Sequence, residues 1–164
     1  MNGLRITNRE NLIIADPLAT YNGDILVIGK FLSTARLSLW RYWLMDGTNA
    51  VGEIVLNADK NRYLKYCWMG KDSSDNKALE AIRIAKQLPQ VKKQDYELRY
   101  LYMIPYASAI WLHSDSDDII IPLTDYYHHW NADHPYSEGE MIKLLKPVED
   151  ERIKTWKKYS GLPD

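Results

Sequence analysis

Residues 36–56 read Arg36-Leu-Ser-Leu-Trp-Arg-Tyr-Trp-Leu-Met-Asp-Gly-Thr-Asn-Ala-Val-Gly-Glu-Ile-Val-Leu56, and this stretch decides the fold. Side chains alternate between two faces along a strand, so Leu37, Leu39, Arg41, Trp43 and Met45 share one side. Ser38, Trp40, Tyr42 and Leu44 take the other. Asp46-Gly47 supplies a reversal that tolerates positive φ, and residues 51–56 resume the apolar run. The segment reads as a β-hairpin with large apolar residues on both faces.

Upstream of it, residues 1–10 are polar and aperiodic and read as a loose arm. Residues 12–15 read as a brief strand, Asn22-Gly23 as a tight turn and residues 25–32 as a buried strand. Downstream, residues 63–68 read as a strand with Leu64, Tyr66 and Trp68 on one face. Ala78, Leu79, Ala81, Ile82, Ala85 and Leu88 recur at helical spacing until Pro89 stops them. Residues 96–104, 107–113 and 118–123 are strands, the last two joined by the turn-forming Ser114-Asp-Ser-Asp117. Residues 124–136 read as a loop dense in His, Tyr and Asp. Ser137-Glu-Gly-Glu140 is a capping box that opens a C-terminal helix, with Pro147 restarting or kinking it and Gly161 ending it. The order predicts an α+β domain. Its core is a mainly antiparallel sheet of about six to eight strands, with one helix in mid-chain and a C-terminal helix packed on it.

Residues 1–164 have the length of a single domain. An apolar share of 46% and a charged share of 26% exclude wholesale disorder. Lys+Arg 21 against Asp+Glu 22 leaves a net charge of -1, which argues against general nucleic-acid binding. No apolar run approaches the ~20 residues of a membrane span, and the first residues lack the pattern of a secretory signal. The chain therefore reads as a soluble cytoplasmic protein. Its single cysteine, Cys67, cannot form an internal disulfide. Cys67 lies in a strand between Tyr66 and Trp68, which suits a packed, inert thiol.

Phosphate-binding loops, His-Glu-x-x-His and Gly-x-Ser-x-Gly are all missing from the sequence. Two distributions are uneven. His113, His128, His129 and His134 all fall within 22 residues, beside Asp115, Asp117, Asp118, Asp125 and Asp133. Imidazole and carboxylate suit zinc or a similar divalent metal, but the spacing lacks the paired offsets that aim two ligands at one ion. Glu53, Glu97 and Arg99 lie on strands and read as cross-strand charge pairing on a solvated face.

The second bias is aromatic. Tyr 12 and Trp 6 against Phe 1 mean that nearly every ring carries a polar group. Such rings either rim a sheet with their polar tips in water or form a recognition surface. Trp40, Tyr42, Tyr100 and Tyr102 are the candidate binding residues. The leading reading is a non-catalytic protein-binding or adaptor domain with a protein partner, no catalytic residue and no cofactor. The alternative is a small metal-dependent hydrolase or metal-binding protein that uses His113, His128, His129 and His134, with zinc or a similar divalent metal. A homo-oligomer is compatible with either reading.

Overall fold

A computed structural model of the chain describes residues 12–14, 18–24, 31–59, 64–69, 73–104, 107–126 and 129–160. The strands are β1 (Leu12–Ile14), β2 (Leu18–Asp24), β3 (Arg36–Asp46), β4 (Asn49–Asn57), β5 (Leu64–Met69), β6 (Glu97–Ile104), β7 (Ala107–His113), β8 (Asp118–Pro122) and β9 (Tyr136–Ser137). The helices are α1 (Phe31–Thr34), α2 (Ser73–Gln87) and α3 (Glu138–Ser160). One sheet runs in the order β5-β4-β3-β2-β6-β7-β8-β9, and β1 pairs with the far end of β3 beside β2. All pairs are antiparallel except β2 with β6. The fold is the α+β architecture that the sequence predicts.

The decisive hairpin forms where expected. Asp46 opposes Asn49, and Gly47 closes the turn at a φ of 58°, a conformation that costs glycine little. Asn22-Gly23 behaves differently, since both residues lie inside β2, paired with Tyr102 and Met103 of β6. β2 sits between β3 and β6, and a two-sided ladder outweighs the local turn preference. Of the strand expected at 25–32, residues 25–30 lie outside the described residues, and Phe31–Thr34 is a helical turn instead. The expected arm at 1–10 and the stop at Gly161 also lie outside them.

Paired residues share a face, so the register divides the sheet cleanly. On one side α2 lays Ala78, Ala81 and Ala85 against Ile110, Leu112, Ile119 and Ile121, with Trp43 and Tyr100 in the same cluster. Alanines let the helix backbone come close. On the other side α3 lays Met141, Leu145 and Val148 against Leu101, Ala109, Trp111 and Ile120, and Leu32 of α1 joins them. The sheet is thus sandwiched between helices over part of its width.

The capping box is formed. Glu140 accepts from the Ser137 amide at 2.8 Å, and Ser137 Oγ accepts from the Glu140 amide at 3.3 Å. Pro147 does not divide the helix that this box opens: α3 is continuous over 23 residues with the proline inside it. Pro147 and Lys143 are both exposed, so the carbonyl that loses its helical donor lies on the solvent side. Among the described residues no helix is long and apolar enough to cross a membrane.

Candidate functional site

The four nominated aromatics do not share a surface. Trp40 opposes Leu56 and Tyr42 opposes Ile54, which puts both on the α3 side of the sheet. Tyr100 opposes Thr20 and lies in the cluster under α2, only 5% exposed. Tyr102 shares the α2 side and packs edge-on against Tyr100 at 5.3 Å.

Tyr100 and Tyr102 belong to a buried polar cluster. Arg41 places its guanidinium 4.3 Å from the Tyr100 ring centroid and donates to the Tyr102 hydroxyl at 2.5 Å. It also forms an ion pair with Glu53, and both side chains are less than a tenth exposed. Among the described residues, the Nε of Arg41 and the Oγ1 of Thr20 have no hydrogen-bond partner. Arg41, Glu53 and Tyr100 are buried and Tyr102 is half-buried, an arrangement that suits a fold-specifying role for the ion pair. The expected charge group on a solvated face is thereby corrected: Glu53 pairs inward with Arg41, while Glu97 pairs with Arg99 two residues along its own strand. The signal for the inward pair lay in the hairpin, where Arg41 interrupts the row of Leu39 and Trp43, and Glu53 opposes Trp43.

The α3 side carries a different surface. One row crosses the whole sheet through Leu64, Leu56, Trp40, Ala19, Arg99, Trp111, Ile120 and Tyr136. At its β6–β7 part the Arg99 guanidinium lies 4.6 Å from the Tyr21 ring centroid and 4.5 Å from that of Trp111, and α3 and α1 cover the neighbouring core. Toward β5 the row comes into the open. Trp40, Tyr42, Leu44, Ile54 and Leu56 are half-buried, Leu64 is 57% exposed and Met69 is 62% exposed. Cys67 opposes Ile54 in the middle of this area and is exposed, which corrects the expectation of a packed thiol.

A bulge explains part of this exposure. The register slips between Val55 and Leu56, leaving Lys65 as the extra residue of β5. Leu64 therefore opposes Leu56 on the α3 side, and does not share the face of the register positions of Tyr66 and Trp68. β5 ends the sheet among the described residues, and the bulge and its lysine blunt that edge against further strand pairing. What remains available is the face.

The three described histidines each have a partner of their own. His113 Nδ1 lies 2.8 Å from Asp118 Oδ1, which also accepts from Trp111 Nε1 at 2.6 Å, so this carboxylate latches the β7–β8 hairpin. His129 lies beside the Tyr126 ring and His134 against the Tyr136 ring, at centroid distances of 6.1 and 4.6 Å. His128 lies outside the described residues. Among the described residues no three His, Cys, Asp or Glu side chains are placed to hold a metal ion. Trp130 is buried and donates to the Thr124 carbonyl at 3.1 Å.

Compared with protein-family models, curated proteins and solved structures, the chain finds no match.

Proposed function

We propose that this domain is a non-catalytic protein-binding module whose partner docks on the α3 side of β3, β4 and β5. One observation carries the reading: Trp40 and Tyr42 share a sheet face with exposed Leu64, Cys67 and Met69, beyond the part that α3 covers. Exposed apolar patches on a folded domain mark interaction sites, and half-buried Trp and Tyr supply rigid contact area at little entropic cost. Tyr100 and Tyr102 support the platform from the opposite side through Arg41. A cytoplasmic setting belongs to the same proposal, because there an exposed thiol such as Cys67 stays reduced.

The test compares the wild-type chain with Met69→Lys and Leu64→Lys. Both residues are already exposed, so each variant should unfold at the wild-type denaturant midpoint. A partner held by the wild type should be lost from both variants and retained by Lys93→Ala, a control in the loop after α2. Retention of that partner by both face variants would remove the support for this surface.

A further inference from the structure

α3 is longer than the surface it covers. Met141, Leu145 and Val148 are buried on one helical stripe, and the same spacing of three and four continues to Arg152, Trp156 and Tyr159. Yet none of residues 150–159 is buried, Trp156 is 56% exposed and Tyr159 is 81% exposed. At 1.5 Å per residue, this overhang continues the helix for about 15 Å. Two apolar features thus stand exposed among the described residues, Trp156 and Tyr159 on the helix and Leu64 and Met69 on the sheet face.

We infer that the two features are each other's partners between two copies of this chain: the α3 overhang of one copy packs on the β3–β5 face of the other, and reciprocally. The inference rests on the binding face proposed above and names its occupant. Helix on sheet is the packing that this chain already uses on both sides of its sheet. The reciprocal arrangement has two-fold symmetry and closes, using both features of each copy. The area is sufficient. Exposed portions of Trp156 and Tyr159 offer about 300 Å² of a helix surface, and with a matching sheet area two reciprocal contacts bury about 1,200 Å², the lower end of stable interfaces. Exposed Lys154 and Lys158 flank the far turns of the helical stripe, and exposed Asp46 at the end of β3 and Asp59 just past β4 stand at two corners of the face, with Lys65 on its β5 margin.

The experiment measures molar mass by light scattering and sedimentation, from about 1 to about 500 µM, a range suited to an interface of this size. The full chain is compared with Trp156→Lys/Tyr159→Lys and with Met69→Lys. Cys67 labelling by a thiol reagent is followed in parallel. The inference predicts a wild-type dimer of twice 19.2 kDa at the upper concentrations. Both variants should be monomeric, with Cys67 labelled about tenfold faster in the helix variant at the concentration where the wild type is dimeric. A dimer lost in Met69→Lys but kept in the helix variant would overturn the named occupant while leaving the face as a docking site. A wild-type monomer at every concentration would overturn the inference, including the case where Cys67 is slow to label because the overhang closes on its own sheet.

Discussion

Tyr42 and Tyr100 stand on opposite sides of one sheet, two strands apart. Tyr42 is half-buried on a face that opens toward β5, and Tyr100 is buried beneath α2 and Arg41. Similar side chains therefore carry different work, and substitution separates them. Tyr100→Ala should cost about 3 kcal/mol of unfolding free energy, as removal of a buried ring does. Tyr42→Ala should cost less than half as much and weaken partner binding. Equilibrium denaturation of both variants checks this, and equal losses would show Tyr42 to be core.

Arg41→Met should destabilise the domain by about 3–5 kcal/mol, because the Glu53 carboxylate stays buried without the guanidinium. Adding Glu53→Leu should restore more than half of that loss. If the double variant is no more stable than Arg41→Met, the ion pair is not what Glu53 depends on.

Much of the architecture was legible because strands and helices announce themselves by period. The hairpin at 36–56, the alanine-rich helix before Pro89 and the capping box at Ser137 all combine an apolar pattern with a local stop or start. Asn22-Gly23 was not legible, since its strand pairs with β6 eighty residues further along the chain. Leu64 was misassigned because a single extra residue, Lys65, reverses the alternation of β5, and nothing local marks that bulge. The candidate aromatics are placed by type in the sequence and not by face, because β3 and β6 each carry rings and only the register says which side they take.

Asp117 gives a pH-dependent test at the β7–β8 hairpin. Burial pushes its carboxyl up, but hydrogen bonds from Ser114, Tyr96, Gln94 and Ser116 outweigh this and hold it below its ordinary 3.8. A depressed folded pKa contributes stability above the unfolded value and loses it as pH falls through the folded one. Asp117→Asn should therefore lower the melting temperature at pH 6–7, with the gap closing below pH ~3.8. A gap that stays constant down to acid pH would assign the effect to lost packing of the loop.

Ser137→Ala should destabilise the start of α3 by about 1 kcal/mol by removing the Ser137 hydroxyl that accepts from the Glu140 amide. Amide hydrogen exchange should show the change in the first turn of α3 and leave α2 at wild-type protection. Unchanged exchange at Glu140 would mean that β9 alone holds this helix end.

A protein docked on the β3–β5 face would cover Cys67. A photo-crosslinker attached to this one thiol and activated under native conditions reads the face directly. The account predicts a covalent adduct with a protein chain, a second copy of this one if the reciprocal dimer forms, and loss of that adduct in Met69→Lys. A chain that stays uncrosslinked under conditions where it is fully labelled, or an adduct indifferent to Met69→Lys, would contradict it.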